Sequence, residues 1–260
     1  MPGRMDAADG YEEAVGLWRE RRISTGAELA LAISPRRIES AYRSGKIEND
    51  KITYHDTREI FEHDGVTTYT GDLRTLFEIR DAREAHELFL TAFDERRPLD
   101  EALVKELHEE LTSGTYDARR WALGERPGEH ERHDHVIGRG EVGAMPEDVE
   151  VEMSSLLDEL CDVPDDETSA VLTAAAYLHA KFEEIHPFAD GNGRTGRLVM
   201  NYFLVLHGHP PITIHEEDRK AYYDALEAWD EGEDLSPLRA FLREQTAKTW
   251  REQILRAARR

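Results

Sequence analysis

"IHPFADGNGRTGR", residues Ile185 to Arg197, sets a histidine, an aspartate, a Gly-Asn-Gly step and two arginines between two strongly apolar segments. Pro187 disfavours helical geometry at His186, so the preceding helix should end there and leave the imidazole at a loop edge, able to take a proton near neutral pH. Asp190 offers a hard oxygen suited to Mg²⁺, a cation that commonly pairs one or two carboxylates with substrate phosphates. Gly191, Asn192 and Gly193 permit a tight turn with outward N–H groups, and a helix beginning at Arg194 would present an anion-attracting N-terminus. Arg194 and Arg197 are three residues apart and therefore neighbours on one helix face, where guanidinium forks suit phosphate oxygens. Each feature alone has an ordinary structural reading: a helix end, a turn, a solvated face. Joined at these offsets, they describe transfer from a nucleoside triphosphate.

Outward from this stretch the chain reads as mainly α, with apolar positions three and four apart and little alternation. Long amphipathic helices are expected over Leu73 to Glu95 and over Leu99 to Gly114, the second capped by Asp100 and stopped at Gly114. Further helices should start at Pro146, precede Ile185, follow Arg194 to Gly208, and fill the C-terminal part. Two stretches break the pattern. Tyr54 to Asp72 has a turn at Asp64-Gly65 and a β-favouring "VTTYT", and Arg132 to Ala144 alternates and holds glycines, as a small hairpin or flap would.

The formal charge is -22, from 55 acidic against 33 basic residues, and only Lys46, Lys51, Lys105, Lys181, Lys220 and Lys248 are lysines. Such a surface repels nucleic acid and anionic membranes, and it is the composition expected of a halophile protein kept soluble in high salt, with an ordinary acidic cytosolic protein as the alternative. Cys161 is the single cysteine, which excludes an intrachain disulfide. With no signal-like N-terminus and no membrane-length apolar run, a soluble cytoplasmic chain is expected.

"HPFADGNGRTGR" resembles the core motif of the Fic domain family, HPFx[D/E]GNGRxxR, at every fixed position, and the similarity extends from about Ser44 to Trp229. The resemblance implies an all-α (mainly α) Fic fold, a helical bundle with a small β-hairpin flap. It also implies a protein adenylyltransferase that moves AMP from ATP to a Tyr, Ser or Thr hydroxyl of a target protein. His186 would be the base, Asp190 would hold Mg²⁺ on the α- and β-phosphates, and Phe188 would be a core anchor. Gly191, Asn192, Gly193 and Arg194 would bind phosphates, and Arg197 would reach the γ-phosphate. Related Doc-type kinases carry lysine where Gly193 stands, which favours AMP transfer.

Upstream, "SGKIENDKIT" (Ser44 to Thr53) alone reads as a helix end broken by Gly45 and Asn49. Ser44, Glu48 and Asn49 also match the family's inhibitory pattern, [S/T]xxxE[G/N]. By that resemblance Glu48 would pair with Arg197 and keep the γ-phosphate out, competing for the same guanidinium fork at high effective concentration. "SPRRIES", with Ser34 five positions from Glu39, fails the spacing and is assigned to the preceding helix.

The flap would pair an extended hydroxyl-bearing segment of the target, bringing it to His186. His130, His133 and His135, among Glu129, Glu131 and Asp134, also invite a metal reading, which the missing cysteine and distant ligand pair disfavour. The organisation expected is a helical region with the inhibitory motif (1–53), a Fic domain (54–230) and a C-terminal helix (231–260) without a winged-helix appendage; a homodimer controlling the brake fits the family. Removal of AMP with Glu48 aligning a water, transfer of another phosphate-containing group, and a non-catalytic nucleotide-binding module remain as alternatives.

Overall fold

The computed structural model describes residues 7–259 except 64, 66–68, 134, 138–139 and 165–166, with backbone alone for 7–9, 135–137 and 140–142. The first helices are α1 (Ala7–Arg19), α2 (Gly26–Ile33), α3 (Arg37–Glu48), α4 (Tyr54–His63), α5 (Leu73–Asp94) and α6 (Glu101–Thr112). They are followed by α7 (Ala118–Ala122), α8 (Val149–Glu159), α9 (Thr168–Ile185), α10 (Asn192–Leu206), α11 (Arg219–Gly232) and α12 (Ser236–Ala257).

The central pair is α9 and α10, joined by the motif loop. The small, apolar face of α9 buries Val171, Leu172, Ala175, Ala176 and Leu178, and α10 buries Leu198, Val199, Met200, Tyr202 and Phe203 against it and the hairpin of α5 and α6. Burying such side chains contributes roughly 1.5–3 kcal/mol each, so the loop between the two helices is carried by the best-packed part of the molecule. Asp100 caps α6 as the sequence indicates, its Oδ1 accepting the Leu103 N–H at 2.8 Å. The termini meet where α12 lies along α1, with Trp18 edge-on to Trp250 at 5.2 Å.

The expected hairpin flap is corrected in extent. The architecture is all-α, and pairing in Arg132 to Ala144 amounts to three residues on each side, His135–Ile137 against Gly140–Val142, with 138–139 outside the described residues. Three glycines and several charges in this stretch disfavour a longer ladder.

Other boundaries move too. Tyr54–His63 is helical, because Thr57, Ile60 and Phe61 bury one face; the turn residue Asp64 and Val66–Thr68 of "VTTYT" lie outside the described residues. Helix α8 starts at Val149 rather than Pro146, after a turn in which the Met145 carbonyl accepts from Asp148 and Val149. Gly45 lies inside α3, where a Cβ would come within 2.6 Å of Ile52 Cδ1, so close packing, not chain breaking, explains it. Ile38 and Glu39 of "SPRRIES" share α3 with Ser44 and Glu48.

Candidate active site

Helix α9 ends at Ile185, and His186 follows as its C-cap in the left-handed region, with φ 52°. That conformation costs a non-glycine residue energy and is found where the surroundings over-determine it. Here they do. The Glu131 N–H donates to Pro187 O at 3.0 Å and the Ala144 N–H to Ile185 O at 2.9 Å, so the two ends of the intervening segment are stapled on either side of His186. Gly143, at φ 95°, approaches so closely that a Cβ would lie 2.9 Å from both His186 Cβ and Ile185 O.

Phe188 is fully buried and stacks on His108, ring centroids 3.7 Å apart and planes 3° from parallel. His108 Nδ1 accepts the Gly128 N–H at 2.9 Å, so its Nε2–H donates to Asp190 O, also at 2.9 Å. Burial brings the His108 pKa down to about 3, and the ring stays neutral. Asn192 clamps the loop from the other side, its Oδ1 accepting the Phe188 N–H at 2.9 Å and its Nδ2 donating to Phe188 O at 2.5 Å. The same Nδ2 lies 3.1 and 3.2 Å from the two ring nitrogens of His186.

Helix α10 begins at Asn192, two residues before the expected start, with Gly191 as N-cap at φ 83°. Asn192, Gly193 and Arg194 are therefore the first helical turn, whose N–H groups have no intrahelical acceptors and favour an anion. Arg194 and Arg197 project from one face and are 6% and 5% exposed.

Glu48, at the last position of α3, reaches both arginines. Its Oε1 lies 2.6 Å from Arg197 Nη2 and its Oε2 3.4 Å from Arg194 Nε. Ser44, one turn earlier, accepts from Arg197 Nε through Oγ at 3.0 Å and from Nη2 through its carbonyl at 2.9 Å. A Cβ at Gly193 would collide with the Glu48 carboxylate, so the glycine permits the approach. Asn49 caps α3.

Asp190 shares its Oδ2 with two guanidinium groups, Arg74 Nη2 at 2.6 Å and Arg120 Nη2 at 3.3 Å. Burial pushes its pKa up, but Arg194, Arg74 and Arg120 outweigh that and hold the carboxyl below its ordinary value. Glu183 behaves oppositely: burial pushes it up to about 7, although Arg197 opposes the rise. Arg74, Arg120, His108 and Glu183 had no sequence signal. They are single polar residues on helices, and only tertiary packing brings them to the loop.

The open cavity over the motif is lined among others by Glu48, Arg120, Glu183, His186, Asp190 and Arg197. Tyr222 and Tyr223 of α11 close one side. Among the described side chains the histidine stretch does not converge on a metal. His133 bonds Glu125 at 2.8 Å and His130 faces Glu101 at 3.7 Å; Asp134 and the His135 side chain lie outside the described residues. Among the described residues no three His, Cys, Asp or Glu side chains gather as a metal site, and no helix is long and apolar enough to cross a membrane.

A helical fold with a histidine-bearing loop, a carboxylate and an arginine-lined helix N-terminus defines a class, and the comparisons identify it. The Fic/DOC family profile matches residues 98–204, and the chain belongs to this family. It is 33% identical over 216 residues to the protein adenylyltransferase Fic of Drosophila willistoni, covering 80% of this chain and 40% of the relative. A Fic family protein from Desulfovibrio desulfuricans superimposes with a TM-score of 0.71 at 26% identity, covering 98% of this chain and 76% of that one. A Fic domain containing signaling protein from Bacteroides thetaiotaomicron shares the fold, with a TM-score of 0.77 at 24% identity over 96% of this chain and 98% of that one. The chain spans about half the length of the curated relatives it matches.

Proposed function

We propose that this protein is an adenylyltransferase that moves AMP from ATP to a hydroxyl of a target protein and is restrained by Glu48. The observation that carries the reading is that His186, Asp190, the α10 N-terminus and Arg197 border one cavity, with Glu48 already on Arg197. Relatives named protein adenylyltransferase support it.

In this reading the His186 imidazole takes the proton of the target hydroxyl as its oxygen attacks the α-phosphorus. A new O–P bond forms, the bond to the bridging oxygen of the β-phosphate breaks, and pyrophosphate leaves. The first-turn N–H groups of α10 and Arg194 hold phosphate oxygens, and Arg197 takes the γ-phosphate once Glu48 departs. Asp190 supplies one carboxylate, a donor set that fits Mg²⁺ only together with nucleotide phosphates. When bound, that ion neutralises charge on the phosphates. Ser44 and Asn49 belong to the inhibitory element, residues 1–53; residues 54–230 carry the catalytic unit and 231–260 the closing helix.

A target that presents an extended segment suits the opening at His186, and the excess of acidic residues disfavours nucleic acid and anionic lipid. One observation favours a second reading: Glu48 borders the same cavity as His186 and could align a water for AMP removal. ATP labelled at the α- or the γ-phosphate separates the outcomes. Retention of α label alone supports AMP transfer, retention of γ label indicates a kinase, and loss of AMP from a modified target indicates removal.

A further inference from the structure

Asp190 is held by two arginines that lie outside every motif, Arg120 at 3.3 Å and, more closely, Arg74 at 2.6 Å. Arg74 sits on the first turn of α5, after the N-cap Asp72, and is fixed from three directions. Its Nη2 donates to Asp190 Oδ2 at 2.6 Å, its Nε to Glu78 Oε1 at 3.1 Å and its Nη1 to Thr115 O at 3.1 Å. Glu78 is 7% exposed, and its other oxygen accepts from Asn49 Nδ2 at 2.6 Å. Asn49 is the residue directly after Glu48. A continuous line therefore runs from the end of the inhibitory helix through Glu78 and Arg74 to Asp190, along a polar cavity.

We propose that Arg74 is a positioning residue that withholds Asp190 from the divalent cation, and that Asn49 and Glu78 couple this hold to the docking of α3. This rests on the reading of Asp190 as the metal ligand and of α3 as the brake. A guanidinium and a divalent cation compete for the same carboxylate oxygen. While α3 is docked, Asn49 occupies Glu78 Oε2 and leaves Arg74 a single bond to that residue. When α3 leaves, both Glu78 oxygens face Arg74, a two-pronged pair forms, and Nη2 is drawn off Asp190. The coupling is reciprocal: cation on Asp190 weakens the docking of α3. One movement would then free Arg197 and take the nearer guanidinium off Asp190, leaving Arg120 Nη2 at 3.3 Å as its remaining partner.

The test is calorimetric titration of the full chain with ADP, which has no γ-phosphate to compete with Glu48 for Arg197, with and without Mg²⁺. The readout is the ratio of the two affinities. Arg74→Met should raise that ratio about fivefold, and Asn49→Ala, which touches neither nucleotide nor metal residues, should raise it about twofold. Asp190→Ala should bring the ratio to one. Equal loss of affinity in both conditions for Arg74→Met, with an unchanged ratio, would make Arg74 a nucleotide ligand and overturn the proposal. An unchanged ratio for Asn49→Ala would overturn the coupling. An Asp190→Ala protein with the wild-type ratio would refute the metal-ligand reading itself, and the proposal with it. Thermal melts of each variant identify a folding defect, and Asn49→Ala keeps the test decisive if Arg74→Met fails to fold.

Discussion

Glu48 Oε1 lies 2.6 Å from Arg197 Nη2, and the same guanidinium bonds both Oγ and the carbonyl of Ser44. Arg197 is 5% exposed, so removing Glu48 would leave a buried cation in need of an anion. A phosphate is the ligand that such a site takes most readily. On the proposed reading the contact competes with phosphate for Arg197, and its strength should be tunable.

Ser44→Ala removes one of the three α3 acceptors on Arg197 and leaves Glu48 in place. A charge-assisted hydrogen bond contributes about 1.5–3 kcal/mol, part of which water restores, so self-modification with ATP should rise roughly fivefold. Initial rates of incorporation check this. A rate equal to wild type would show that Ser44 plays no part in the restraint.

Asn192→Ala should impair the loop on which the chemistry depends. It deletes both bonds to the Phe188 backbone, leaving a buried N–H and a buried carbonyl unsatisfied at about 1–3 kcal/mol each. In a Glu48→Gly background, activity should fall by at least tenfold, with a lowered melting temperature.

Glu183 should shape the pH dependence of stability. Its carboxyl is raised to about 7 by burial, so between its ordinary value near 4.5 and about 7 the folded state binds a proton that the unfolded state does not. Its contribution is present below 4.5 and is lost as pH rises through that window, at up to about 1.4 kcal/mol per pH unit. Glu183→Gln should remove this component, seen as a flatter melting profile from pH 5 to 7.

His108 and His179 act in the opposite direction. Burial holds both near 3, so the unfolded state gains protons first as pH falls below 6.5. Their stabilisation is complete above 6.5 and is lost as pH falls toward 3. Urea midpoints should therefore drop steeply below pH 6, and His108→Gln should reduce the slope.

The geometry of the motif was readable because it is local. Pro187 fixes the end of α9, the glycines permit the turn, and the arginine spacing follows from helix geometry. Ser44 and Glu48 were readable only through family resemblance, since one helical turn between a serine and a glutamate is otherwise unremarkable. Arg74 and Arg120 were not readable at all: their meeting on Asp190 depends on how α5 and α7 pack beside the loop. Local sequence also misjudged Tyr54–His63, where the burial of Ile60 and Phe61 overrides the turn-like composition. The glycines were the ambiguous class. Gly191 caps a helix, Gly45 packs inside one and Gly143 crowds His186, and only tertiary contacts distinguish the three.

The central claim is AMP transfer by His186 under restraint by Glu48. It is tested most directly by intact mass after incubating wild type, Glu48→Gly, and Glu48→Gly with His186→Ala with Mg²⁺ and ATP in high salt. The account predicts an AMP-sized gain in Glu48→Gly alone. A gain in wild type equal to that of Glu48→Gly, a phosphate-sized gain, or a gain that survives His186→Ala would contradict it.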